Sequence, residues 1–292
     1  MSNIDLIIEE RAIEIGNFMV GRLLPFRQKR SVGPFVYVDH MGPAILNEQT
    51  NLDVLPHPHI GLATLTYLFE GSIMHRDSMG NEVEIKPGAV NWMTAGKGVV
   101  HSERTPQNLR QTNKKLHGMQ IWVALPKELE DILPAFVQVS ASDIPSWTLD
   151  GANIKLIAGE AFGKKSPVPV HSKLYFIKIN THSPQKINPG NGIYGESALY
   201  ILDGKVSIEG NIFGPGQLLV ARNSKLCMFE MAANTTVCIF GGEPLPEPRF
   251  IDWNFVSSSK ERLQQAREDW LNQRFPPIKG ETEFMPYPGQ RP

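Results

Sequence analysis

Two short stretches carry side chains that could hold a metal ion. One is Leu55-Pro56-His57-Pro58-His59-Ile60-Gly61, and the other is Gly96-Lys97-Gly98-Val99-Val100-His101-Ser102-Glu103. In an extended chain residues i and i+2 lie on one face, about 6.6 Å apart along the strand. His57 and His59 therefore share a face, and so do His101 and Glu103. Two such pairs on adjacent strands, aimed into one barrel, place three imidazoles and a carboxylate around a common centre. Pro56 and Pro58 suit an edge strand or an irregular extended entry, because proline cannot donate to a ladder. A His-x-His pair alone is more often a surface or core pair than a ligand pair, and His-x-Glu alone is a weaker signal still. Their conjunction before two successive strands of one domain is what points to a metal. Three neutral imidazoles and one carboxylate suit Fe, Zn, Cu, Ni or Mn, and spacing does not choose among them. Four protein ligands complete a tetrahedral zinc site but leave an octahedral ion two positions.

Other residues near these stretches have plainer readings. His75 is expected as an exposed hairpin histidine, with a partner to a ligand or a polar lip residue as alternatives. His40 sits in the turn-like Asp39-His40-Met41-Gly42 and is expected to hydrogen-bond locally. His117, His171 and His182 are isolated and receive no role. Trp92 and Met93 read as core packing. By strand parity Ser102 and Arg104 face away from the ligands.

The elements that must position these groups are short strands. Gly (25) and Pro (23) are spread as punctuation. Between them lie β-rich runs at Phe35 to Asp39, Leu62 to Phe69, Glu82 to Ile85, Ala89 to Met93 and Met119 to Ala124. A second series follows at Leu174 to Ile179, Ala198 to Leu202, Lys205 to Glu209, Gln217 to Ala221, Leu226 to Glu230 and Thr235 to Phe240. Such runs between turn signals predict an all-β chain of sandwiches or barrels. The two series look alike: Leu65 to Gly71 resembles Ala198 to Gly204, and each is followed by two more strands and a Pro-Gly turn. Anchored on those glycines, His57 and His59 align with Gly190 and Gly192, and His101 and Glu103 with Phe229 and Met231. No histidine occurs after His182, so metal chemistry is expected in the first half only.

The expected organisation is a metal-binding domain over 1–140 and a second domain without a metal site over 141–292, joined near Ala141 to Ser146. Ser258-Ser259-Lys260-Glu261 offers a capping box with Ser258 as N-cap. Leu263, Ala266, Trp270 and Leu271 then fall at helical spacing, predicting a helix from about Ser259 to Asn272 and an extended tail, 258–292 in all. Both are expected to do packing and nothing more.

Composition excludes several classes. Lys plus Arg is 29 and Asp plus Glu 30, a net charge of −1, which argues against broad nucleic-acid binding. No apolar run approaches the ~18 residues of a membrane helix. Met1 to Glu10 carries acids and lacks the pattern of a secretory signal. Two cysteines, Cys227 and Cys238, make no disulfide framework and fit a reducing compartment. A cytoplasmic protein is expected.

A tandem of small barrels with an inward His-x-His and a later His resembles the cupin superfamily. Within it the chain is similar to the pirins. The resemblance is carried by Phe35 to Pro43, Pro56 to Gly61, Tyr67 to Asp77, Asn91 to Pro106 and Ile157 to Phe162. Gly241 to Pro244 and Asn254 to Ser259 resemble the longer bacterial-type members. The likeness covers nearly the whole chain, and its Pro-His-Pro-His and His-Ser-Glu-Arg-Thr-Pro segments are highly specific. It implies a bicupin of two jelly-roll domains whose N-terminal barrel holds iron through His57, His59, His101 and Glu103. It also implies quercetin 2,3-dioxygenase activity on a small aromatic flavonol and dioxygen, with Glu103 as the catalytic base for the 3-hydroxyl. The alternative it offers is a redox-responsive regulator whose iron reshapes a surface for a protein partner. A third reading is a barrel that its metal merely stabilises. Fold alone does not decide among them.

Overall fold

Runs of β-branched and aromatic residues between glycine and proline turns form antiparallel sheets in the computed structural model, which describes residues 3–15, 17–222 and 226–289. A seven-stranded sheet has the order Ala135–Val139, Val90–Thr94, Leu62–Glu70, Lys114–Ala124, Phe35–Leu46, Phe18–Leu24, Arg11–Ile15. A four-stranded sheet has the order Asp53–His59, Val99–Arg104, Ile73–Asp77, Glu82–Ile85. The second series repeats the plan. Its small sheet runs Gln185–Ile187, Phe229–Met231, Val206–Ile208, Asn211–Phe213, again first, fourth, second and third in chain order. Its large sheet places Gln217–Ala221, Glu196–Asp203, Thr236–Gly242 and Leu174–Asn180 side by side. The chain is thus mostly β, with two cupin-type barrels.

The compact units are not consecutive stretches of chain. Met1–Arg11, Gly21–Tyr37 and Val139–Leu245 form one, and Ala12–Val20, Val38–Gln138 and Pro246–Pro292 form the other. The reason is apolar. The strand Ile4–Glu9 pairs antiparallel with Gln217–Ala221, and its Ile4 and Ile8 are buried. The helix Lys260–Leu271 turns Leu263, Ala266 and Trp270 onto Ile60, Val100 and Phe255. Ile60 and Val100 adjoin His59 and His101, so the C-terminal helix backs the strands that carry the candidate ligands.

The helix begins one residue later than the capping box suggested. Its N-cap is Ser259, whose Oγ accepts from the Arg262 N–H at 3.2 Å. Ser258 lies one residue outside the helix cap and donates its N–H to Glu130 Oε1 at 2.8 Å. Among the described residues, no helix is long and apolar enough to cross a membrane.

Gly61 ties the C-terminal segment to the ligand strand. Its φ is +66°, and a Cβ there would lie 1.9 Å from the Val256 carbonyl oxygen. Only glycine combines that conformation with so close an approach.

Candidate metal centre

Register brings the two sequence motifs together. His101 lies opposite His57, and Val99 lies opposite His59. Between His101 and Glu103 the register slips, so that Glu103 lies opposite Val54, and this bulge re-aims the side chains beside it. On its other side the same strand sets Glu103 opposite His75 and His101 opposite Asp77. Period-2 alternation along Ile73–Asp77 buries Ile73, His75 and Asp77, with Met74 and Arg76 more exposed between them.

The ring centroids of His57, His59 and His101 lie 4.4–5.0 Å apart. Their candidate ligand atoms lie within 4.8 Å of one another, and all three residues are buried. Glu103, also buried, is grouped with His101 and His75 rather than with all three imidazoles. Thr66 Oγ1 lies 3.3 Å from Glu103 Oε1 and 2.8 Å from Gln120 Oε1.

Hydrogen bonds fix which nitrogen of each ring is bare. His57 Nδ1 lies 2.8 Å from the Leu55 carbonyl oxygen, and His59 Nδ1 lies 2.9 Å from that of Asn254. A carbonyl can only accept, so each Nδ1 donates its hydrogen and each Nε2 keeps a lone pair. His101 Nε2 is buried and has no hydrogen-bond partner. A buried polar atom without a partner is costly in a folded interior and needs an explanation. A metal ion among the three Nε2 atoms supplies one, and the donor set fits a first-row transition metal.

The electrostatics agree. Burial lowers the pKa of His57 to about 4, and burial with the neighbouring imidazoles lowers His59 and His101 well below the ordinary value. All three rings are therefore neutral near pH 7, the form a metal requires. Burial raises the pKa of Glu103, against smaller opposing effects from His75 and Thr66.

Several side chains lie elsewhere than expected. His75 is buried, 2 % exposed, not an exposed hairpin residue. His40 lies inside the strand Phe35–Leu46 rather than in a turn, and its Nε2 is 2.8 Å from Nε2 of the distant His117. Ser102 and Arg104 do face away, and there they meet the tail. Ser102 Oγ donates to Glu281 Oε1 at 2.5 Å, and Arg104 Nη2 donates to Glu281 Oε2 at 2.7 Å. The Met285 N–H donates to the Pro56 carbonyl at 2.8 Å. The tail thus grips both ligand-bearing strands from outside. Glu281 and the Asn254 carbonyl were beyond the reach of motif reading, because the contacts span about 180 to 195 residues and no local pattern marks them.

The second barrel has apolar side chains at the corresponding places. Phe229 and Met231 are buried in its core. Ile187 lies opposite Phe229 as His57 lies opposite His101, so Ile187 is the counterpart of His57. Gly190, the residue aligned to it from the glycine anchors, lies past the strand in a 3₁₀ turn with Gly192. Among the described residues, both candidate metal groups fall in the first barrel.

Comparison with known families decides the relationship. Residues 17–123 match the pirin family and residues 177–276 match the pirin C-terminal cupin domain. The chain belongs to the pirin family. A pirin-like protein of Caulobacter vibrioides is 46% identical, over 98% of this chain and 99% of its own. The crystal structure of a quercetin 2,3-dioxygenase from Acinetobacter baumannii superposes on this pirin with a TM-score of 0.88. That match has 32% identity and covers 98% of this chain and 97% of the other. A bacterial pirin from Escherichia coli, solved in complex with nickel(II), shares the fold at a TM-score of 0.62 and 18% identity, covering 82% and 99%.

Proposed function

We propose that this pirin is a metal-dependent dioxygenase of the quercetin 2,3-dioxygenase type, acting on flavonol-type aromatics, with iron held by His57, His59, His101 and Glu103. The observation that carries the reading is the buried imidazole triad with its orphaned His101 Nε2. It stands in a chain similar over nearly its whole length to a quercetin 2,3-dioxygenase. Bound iron supplies Lewis acidity and one-electron chemistry toward dioxygen.

The chain's own groups do the rest. Glu103 is the base for the substrate hydroxyl, and in the metal-free protein burial raises its affinity for a proton. The Thr66 hydroxyl has one hydrogen to share between Glu103 Oε1 and Gln120 Oε1, and it steadies the carboxylate from that side. Trp122 packs edge-on to His59 with centroids 5.0 Å apart, and Phe136 stacks on His75 at 4.6 Å. These rings keep water from the imidazoles, so that electrostatic interactions there are screened less.

Oxygen uptake on adding quercetin tests Glu103. In Glu103→Ala, assayed at equal iron content, kcat is expected to fall by at least about 100-fold, the usual scale for losing a general base. Turnover at the wild-type rate would remove Glu103 from its proposed role. A fully loaded wild-type protein that consumes no oxygen would contradict the enzyme reading and favour a redox-responsive regulator acting through a protein partner.

A further inference from the structure

The third histidine of the triad differs from the other two in what holds it. His57 and His59 each point Nδ1 at a backbone carbonyl, whereas His101 Nδ1 lies 3.4 Å from Nδ1 of His75. His75 Nε2 in turn lies 3.1 Å from Asp77 Oδ2. Asp77 receives further hydrogen bonds. Its Oδ1 accepts from the N–H groups of Met79 at 2.9 Å and Asn81 at 3.1 Å. The Asn81 amide donates to Oδ1 at 3.1 Å and to Oδ2 at 2.8 Å. A carboxyl surrounded by donors in this way is a carboxylate and can only accept.

The hydrogen positions then follow in order. The hydrogen between Asp77 and His75 sits on His75 Nε2. His75 Nδ1 is then the acceptor in the next contact, and the hydrogen there sits on His101 Nδ1. That leaves His101 Nε2 bare, and this is the atom without a hydrogen-bond partner. Phe136 stacks on the His75 ring at an interplanar angle of 21° and fixes its plane.

We infer that His75 and Asp77 are a positioning pair, which locks His101 in its Nδ1–H tautomer, presents Nε2 to the metal, and sets the affinity of the site. Carboxylate-backed imidazole is a stronger acceptor than the carbonyls behind His57 and His59, so His101 becomes the most electron-rich of the three. Among the described residues, the second barrel has no counterpart of the device or of the ligands. There Val206 lies opposite Met231, where the first barrel sets His75 opposite Glu103. The affinity part of this inference rests on the metal reading above, and the tautomer part does not.

The test has two arms, neither of which uses oxygenase activity. The first is imidazole ¹⁵N NMR of the metal-free protein. His101 is expected as the Nδ1–H tautomer in wild type, as a mixture in His75→Phe, and as Nδ1–H again in His75→Gln, whose amide oxygen can accept. The second is competition for iron(II) against a chelator. His75→Phe is expected to weaken binding about 10- to 100-fold, Asp77→Asn is also expected to weaken it, and His75→Gln is expected to recover most of the loss. A wild-type His101 protonated on Nε2 would overturn the inference without any variant. So would two iron ions per chain, since His75 would then be a ligand itself, or unchanged affinity in a folded His75→Phe or Asp77→Asn.

Discussion

His59→Ala and His101→Ala are each expected to retain less than about a tenth of the iron that wild type keeps through dialysis against a weak chelator. Each substitution removes one bare Nε2 from a buried set in which the ring orientations are already fixed by Nδ1 contacts. The other imidazoles are committed elsewhere or distant: His75, though grouped with His101 and Glu103, is bound to Asp77, His40 and His117 are engaged with each other, and His182 is exposed on the other unit. The same loss should appear in stability. A metal present at about 1,000 times its Kd stabilises the fold by about 4 kcal/mol, because it binds only the native state. Chelation should therefore lower the wild-type Tm by several degrees and leave the Tm of the two variants almost unmoved. Metal analysis with calorimetry checks both, and His182→Ala, expected to behave as wild type, is the control.

Glu130→Ala is expected to cost about 3–5 kcal/mol, although residue 130 touches none of the candidate ligands. Glu130 Oε1 lies 2.9 Å from Arg249 Nε, and both side chains are less than a tenth exposed. Ser257 Oγ donates to Oε2 at 2.6 Å and the Ser258 N–H donates to Oε1 at 2.8 Å. Truncation leaves a buried guanidinium with only the more distant and more exposed Glu247, 3.8 Å away, as counter-charge, and two further donors without an acceptor. Arg249 keeps its bonds to the Leu125 carbonyl, which do not neutralise it. The expected signature is a Tm lowered by roughly 10 °C, with a smaller fall in Glu130→Gln, which keeps an acceptor. A loss below 1 kcal/mol for Glu130→Ala would show that this ion pair does not hold the C-terminal segment in place. That segment carries the Asn254 carbonyl behind His59, so metal retention should weaken with it.

Local rules reached the parts of the site that depend on alternation. His57 and His59 share a face because side chains on a strand repeat every second residue, and the same rule sent Ser102 and Arg104 outward, whereas Glu103 lies past a register slip and is grouped with His101 and His75. The strand runs were legible for the same reason, as was the apolar stripe Leu263, Ala266, Trp270 of the helix Lys260–Leu271. The unpartnered contacts of the sequence were not. His75 and Asp77 become ligand neighbours only through the register of Ile73–Asp77 against Val99–Arg104. Asn254 and Glu281 reach the ligand strands from the far end of the chain, and Ile4–Glu9 joins a sheet more than 200 residues ahead. Such pairings are chosen by which edges and apolar faces remain to be covered, a property of the assembled sheets that no local spacing records. The alignment of His57 with Gly190 failed by three residues because glycine anchors do not see the bulge and turn lengths between them.

The most direct test of the central claim is oxygen uptake by the iron-loaded protein on adding quercetin, with His101→Ala treated identically. Uptake by wild type that disappears in the variant is the predicted result, since His101 supplies the orphaned nitrogen on which the proposed centre depends. No uptake from wild-type protein shown to hold one iron, or equal uptake by His101→Ala, would contradict it.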